Sequence, residues 1–222
     1  MRLVIFDVDG TLVDSQGDIV ASMGAAFQAV GIEAPDRAAI LSIVGLSLDH
    51  AMLKLAPDAD AATRDTMVAE YKSAYQALRI KAGAASSPLY PGIRDAVEAL
   101  ARQPETLLAI ATGKSRRGLV SLLDNHGWSN LFHSQQVADD HPSKPNPSMI
   151  LTALVETGVE ASDAVMIGDT TYDMQMSAAA GVPFIGVDWG YHPATSLTEA
   201  REIVSEAGDL IPAIDRVLGE RA

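Results

Sequence analysis

The sequence predicts an α/β protein built on a doubly wound parallel sheet, with an all-helical segment inserted directly after the first strand. Three observations carry that prediction. Leu3 to Phe6 is a continuous apolar run, too short for a helix and closed by a Gly-containing turn, which reads as a strand buried on both faces. From Tyr90 onward, strand-length apolar runs alternate with helical patterns, as parallel strands joined by crossover helices require. Between these two regions, from about Asp14 to Gly83, helical spacing persists and no strand pattern occurs.

In chain order, Ser15 is placed to cap the first inserted helix, with Asp18 three residues on in a box-like role. Ile19, Met23, Phe27 and Val30 follow at helical spacing, and Gly31 can close the end. Asp36 can cap a second helix over 38–44, Gly45-Leu-Ser interrupts it, and residues 50–55 resume helical spacing. Asp60 can cap a long fourth helix carrying Met67, Tyr71, Tyr75 and Leu78. Lys81-Ala-Gly-Ala-Ala-Ser-Ser-Pro88 is a small-residue linker. The boundaries are then 1–13 with 86–222 for the sheet-bearing core and 14–85 for the helical insertion, with hinges at 13–15 and 83–88.

After a helix over 92–102, residues 106–111 form an apolar strand ending in Thr112-Gly-Lys114. A helix over 115–125 stops before Gly127, and 135–138 is a short strand. Asn146 and Pro147 make a cap and first-turn pair for a helix to about Thr157. Residues 164–167 form a strand ending in Gly168-Asp169, followed by a helix to Ala180 that Gly181 ends. Residues 184–187 are another strand, the polar stretch 195–206 is expected to be helical, and 212–218 is a last helix.

A chain of 222 residues can bury a core without staples, and 48% hydrophobic with 20% charged residues is an ordinary soluble composition. With 16 basic and 29 acidic residues the net charge is −13, which argues against nucleic acid or an anionic membrane as partner. An anionic substrate would therefore need local cations or a bound metal. The absence of cysteine excludes disulfides and thiolate chemistry and is compatible with a reducing compartment. No run reaches membrane-spanning length, and the N-terminus enters a strand directly with no room for a signal peptide, so the expected location is cytoplasmic.

The chemistry is expected where the parallel strands end. Asp7 and Asp9 close the first strand, Thr112 the second, and Asp169 a third, with Asp173 four residues on. In open α/β sheets the carboxyl edge is where ligands bind. Two carboxylates about 4 Å apart repel by roughly 4 kcal/mol at an effective dielectric of about 20, so either one holds a proton or a cation sits between them. A hard divalent ion such as Mg2+ suits oxygen ligands, and carboxylates from two strands can hold it jointly. Thr112 offers a hydroxyl and the N–H groups of Gly113 and Lys114 open a helix, an arrangement that suits phosphate. Lys144, in Pro142-Ser-Lys-Pro-Asn-Pro147, sits on a backbone restricted by proline. A solvated acidic turn, a surface lysine and a dipole-favoured first-turn acid are the structural alternatives for Asp7 with Asp9, Lys144 and Asp173. His50, His126, His133, His141 and His192 lack metal-ligand spacing, whereas Trp189, Tyr191 and His192, beyond a strand end, can border the site or serve packing.

Asp7-Val-Asp-Gly-Thr-Leu-Val-Asp14, Thr112, Lys144 and Gly168-Asp-x-x-x-Asp173 stand in the order of the four motifs of the haloacid dehalogenase superfamily. The chain resembles that superfamily over essentially its whole length, most closely the phosphoglycolate phosphatase-like group. The resemblance implies a Rossmann-like core with a helical cap and hydrolysis of a phosphate monoester. Asp7 would be the nucleophile, Asp9 the acid and base, Thr112 and Gly113 the phosphate clasp, and Lys144 the neutralising cation. Mg2+ would be held by the Asp7 side chain, the Asp9 backbone carbonyl and Asp169, with Asp173 supporting a metal-bound water or Lys144. The implied partner is a small phosphorylated metabolite, with phosphoglycolate the leading candidate, and the protein a monomer or homodimer. Departures refine this. Asp9 disfavours dehalogenation, and Thr11 stands where mutase relatives usually carry Val or Ile. Lys54, Lys72 and Lys81 are the cap lysines that a phosphonatase-type Schiff base would use. Thr-Gly-Lys replaces the Thr-Asn-Lys frequent in phosphoglycolate phosphatases. A sugar-phosphate mutase or phosphonatase on the same fold, and a non-catalytic phosphate-sensing protein, are the rival readings.

Overall fold

A computed structural model describes residues 1–82 and 87–219. Six parallel strands form one sheet in the order β3-β2-β1-β4-β5-β6, comprising β1 (Arg2–Phe6), β2 (Thr106–Thr112), β3 (Ser134–Val137), β4 (Ala164–Gly168), β5 (Phe184–Val187) and β6 (Glu202–Val204). The central position of β1 explains its unbroken apolar run: Leu3, Val4, Ile5 and Phe6 have no exposed surface because helices cover both faces. Val4 and Phe6 join the cluster under α5 (Ile93–Ala101), α6 (Arg116–His126) and α9 (Leu210–Gly219), while Leu3 and Ile5 join the one under α7 (Ser148–Thr157) and α8 (Thr171–Ala179).

The register sets the level of the site. Phe6 pairs with Ile110 on one side and Ile167 on the other, so β1, β2 and β4 bring Asp7, Thr112 and Asp169 to the same sheet edge. Strand order reverses across β1, with β2 and β4 on either side of it, and such a switch point opens a crevice for ligands.

Four helices follow β1: α1 (Gln16–Ala29), α2 (Arg37–Leu41), α3 (Leu48–Leu55) and α4 (Ala61–Ala82). They enclose a third apolar cluster of their own, including Ile19, Met23, Phe27, Ile40, Met52 and Met67. Asp36 and Asp60 cap as the sequence predicts, accepting from the N–H groups of Ala39 and Thr63. Ser15 does not: it makes no side-chain capping bond, because its hydroxyl is drawn instead to Asp9. The second helix is shorter than expected, ending at Leu41 before a turn that leads to Gly45 at φ +101°. The linker positions 83–86, with the expected hinge at Gly83, and residues 220–222 lie outside the described residues.

The helix expected over 195–206 is replaced by a 3-10 turn at Ala194–Ser196 and the edge strand β6. Its polar residues suggested a solvated helix, but the free edge of β5 offers backbone partners to an extended segment, which buries Val204 and leaves Ile203 exposed. Gly186 on β5 makes the room, since a Cβ there would lie 2.6 Å from Ile203 and 2.8 Å from Leu197.

Candidate active site

Asp7 is the first residue beyond β1, held in place by its N–H, which donates to Ile167 O at 2.9 Å. The chain then turns sharply through Gly10 at φ +84°, and both Asp7 and Asp9 face one cavity. The two carboxylates do not share a partner. Lys144 Nζ lies 2.9 Å from Asp7 Oδ1, whereas Lys114 Nζ lies 2.6 Å from Asp9 Oδ1. The Ser15 hydroxyl donates to the same Asp9 oxygen.

Asp169 is buried in a close-fitting slot. Thr11 Oγ1 donates to its Oδ1 at 2.8 Å and the Tyr191 N–H to its Oδ2 at 2.8 Å. Gly10 and Gly190 flank it so tightly that a Cβ at either would come within 2.2 Å of an Asp169 side-chain atom. Asp173 serves two structures at once. Its Oδ2 accepts from the Thr170 N–H and hydroxyl in a reciprocal capping box that starts α8, and its Oδ1 accepts from Lys144 Nζ at 2.6 Å. Lys144 itself is fully buried between Asp173 and Asp7.

Asp7, Asp169 and Asp173 bring a carboxylate oxygen each within 4.8 Å of one another. Three buried acids face one buried lysine, an excess of negative charge that burial makes costly. Burial pushes the Asp7 carboxyl up to about 7, against the attraction of Lys144 and with further repulsion from Asp173 and Asp9. Asp169 is pushed well up by burial and then by Asp173 and Asp7. Burial also works against the Lys144 ammonium, but Asp173 and Asp7 outweigh it and hold the lysine charged. Asp7 Oδ1 faces the Lys144 ammonium, and its Oδ2 meets no hydrogen-bond donor. An orphaned, buried carboxylate oxygen in an acid-rich pocket fits a hard divalent cation.

On the neighbouring strand, Thr112 ends β2 fully buried, and its Oγ1 accepts from the Lys114 N–H at 3.2 Å. Gly113 is spanned by the helical insertion: a Cβ there would sit 2.7 Å from the carbonyl oxygens of both Gly45 and Leu46. Ser47 N–H donates to Ser143 Oγ at 2.9 Å, next to Lys144, so the turn between α2 and α3 contacts two of the loops that carry the site. The sequence places Asp7, Asp9, Thr112, Gly113, Lys144, Asp169 and Asp173 together, and the structure gathers them at one edge. Asp9 alone keeps its side chain outside the carboxylate trio.

Four further side chains complete the surroundings. Lys114 reaches Asp9, with Tyr75 OH 3.1 Å from its Nζ; the sequence pointed only to its backbone N–H. Tyr191 OH accepts from the Ser15 N–H at 3.0 Å, and Trp189 Nε1 donates to Thr11 O at 3.1 Å, so the loop after β5 borders the site rather than merely packing. His192 packs edge-on against Tyr172, which accepts from Lys54 Nζ at 2.8 Å. Lys54 is exposed and ties the helical insertion to Tyr172 of α8. No signal in the sequence pairs Tyr75 with Lys114, because the two come from different parts of the fold.

A family model for haloacid dehalogenase-like hydrolases matches residues 4–187. The chain belongs to the haloacid dehalogenase-like hydrolase family. Among this hydrolase's relatives, a Dickeya dadantii protein named probable phosphatase IndB is 34% identical, over 97% of this chain and 94% of its own. A phosphoglycolate phosphatase of Xylella fastidiosa is 30% identical, over 96% and 93%. The crystal structure of a predicted phosphatase from Clostridium acetobutylicum superposes with a TM-score of 0.85 at 25% identity, over 97% and 98%.

Proposed function

We propose that this hydrolase is a Mg2+-dependent phosphatase that cleaves a small phosphorylated metabolite through an aspartyl-phosphate on Asp7, with residues 14–85 as a cap over a core of 1–13 and 86–222. The observation that carries the reading is Asp7 itself, a buried carboxylate at the end of the central strand, with a buried lysine 2.9 Å from its Oδ1 and its Oδ2 engaged by no donor. Oδ2, kept clear of donors, is available to attack.

In this reading an Asp7 oxygen forms a bond to phosphorus while the ester P–O bond breaks. The leaving oxygen takes a proton from Asp9, whose Oδ2 is the oxygen that neither Lys114 nor Ser15 touches. Water then attacks phosphorus and gives its proton back to Asp9, releasing inorganic phosphate and restoring the Asp7 carboxylate. Thr112 and the Gly113 N–H hold the phosphoryl oxygens. Lys144, aimed by Asp173, offsets the charge on Asp7 and phosphate. Mg2+, held by the Asp7 side chain, the Asp9 carbonyl and Asp169, would supply the remaining positive charge that phosphoryl transfer needs. The names of relatives such as the Xylella protein make phosphoglycolate the first substrate to assay.

Phosphate release from a panel of phosphate monoesters tests this, with Mg2+ and with chelator, for the wild type and Asp7→Asn. Release that depends on Mg2+ and falls at least about a thousandfold in the variant is expected. Full activity in Asp7→Asn rules out the nucleophile.

A further inference from the structure

We infer that the leaving group of the true substrate carries a flat ring, aromatic or heteroaromatic, which stacks on Tyr71 in the face of the helical insertion. The inference rests on the phosphatase reading and replaces glycolate with a larger leaving group. Three observations lead to it.

The first is size. The cavity that contains Asp7, Asp9 and Thr112 has a volume of about 920 Å³. Phosphoglycolate has about nine non-hydrogen atoms, and at roughly 30 Å³ each, the share of a liquid water, it fills under a third of that space. Cavities of this size hold ligands of drug dimensions.

The second is chemistry. The helical insertion contributes Ile19, Met23, Val68, Tyr71 and Tyr75 to the cavity lining, together with the polar Lys72 and Arg79. A small dianion can use the cations, but it would leave the apolar and aromatic part of the lining against water. Tyr71 and Tyr75 stack on each other, with centroids 5.8 Å apart and planes 19° from parallel, and present aromatic surface to the cavity. Rings stack favourably on such surfaces.

The third is position. Asp9 faces the leaving oxygen. Lys114 Nζ is 2.6 Å from Asp9 and 3.1 Å from Tyr75 OH. The aromatic pair therefore begins one side chain away from the bond that breaks, where the body of the leaving group must lie. Ring-to-phosphate distance is thus short, a methylene or a sugar rather than a long chain.

Benzyl phosphate, cyclohexylmethyl phosphate and 2-phosphoglycolate separate the possibilities, because all three leave as primary alkoxides. With Mg2+ present, benzyl phosphate is expected to exceed 2-phosphoglycolate in kcat/KM by about tenfold or more, and cyclohexylmethyl phosphate by less. Tyr71→Leu is expected to lower the benzyl-to-phosphoglycolate ratio about tenfold, and Tyr71→Phe to preserve it, with the same order in calorimetric binding of benzyl phosphate to Asp7→Asn carrying each change. A preference for 2-phosphoglycolate, equal rates for benzyl and cyclohexylmethyl phosphate, or a ratio that Tyr71→Leu leaves unmoved overturns the ring. Silence towards all three and towards the wider ester panel overturns the phosphatase reading itself, and the ring with it.

Discussion

At the scale of residues, the decisive feature is an acid that is expensive to ionise. With its carboxyl raised to about 7 by burial, Asp7 favours the folded state most while protonated. The stabilising effect of that proton is complete below the ordinary carboxylate range, near 4, and is lost as pH rises through about 7. In chelator, the melting temperature of the wild type is therefore expected to fall between pH 5 and pH 8 relative to that of Asp7→Asn, which has nothing to titrate there. A gap between the two that stays constant with pH means that Asp7 ionises freely in the fold. Most of the residues involved could be named from the sequence, because aspartates and a threonine at strand ends, with a lysine held between prolines, are an unusual collection. Their partners could not. Asp9 with Lys114 and Asp7 with Lys144 are pairings across more than a hundred residues. Ser15 looked like a helix cap, whose oxygen would accept from a helix N–H, but its hydroxyl is turned to donate to the buried Asp9 carboxylate instead.

Among the elements, the turn between α2 and α3 does what neither helix does alone. It lays the carbonyls of Gly45 and Leu46 against Gly113 and ties Ser47 to Ser143. The Thr-Asn-Lys form of this motif would place a side chain where those carbonyls now sit. Gly113→Asn is therefore expected to push the turn away from the phosphate clasp, lowering kcat/KM by about tenfold or more and exposing residues of the turn to faster proteolysis. Unaltered kinetics would show that the closely seated turn has no part in the working state. Strands and helices with strong periodicity were legible: β1 from its apolar run, α6 from Ser115 and Gly127 at its two ends, and α8 from its motif and Gly181. The failure at 195–206 has a physical cause. Three residues of edge strand carry almost no pattern, and what fixes them is the backbone of β5 alongside.

For the molecule as a whole, the balance of charge links metal, proton and stability. Mg2+ binding to the carboxylates competes with protonation of Asp7, so its stabilising effect should grow with pH. At a free concentration of about a hundred times Kd, binding contributes roughly 2.7 kcal/mol, or a rise in melting temperature of about 5–10 °C for a domain of this size. Calorimetry at pH 8 and pH 5 should show the larger rise at pH 8, and an equal rise at both would detach the metal from Asp7. No helix among the described residues is long and apolar enough to cross a membrane.

The sequence by itself determined the strand-and-helix alternation, the all-helical stretch after β1 and the roster of acids and threonine at the strand ends with the lysine held between prolines, because local periodicity and residue chemistry act over short distances. Only the tertiary structure decided which lysine answers which aspartate, that Ser15, Tyr191 and Trp189 join the site, and that Tyr71 and Tyr75 stack in the lining of the same cavity. Those relations depend on how the sheet's register and the seating of the insertion bring distant segments into contact, and no stretch of the chain encodes them alone.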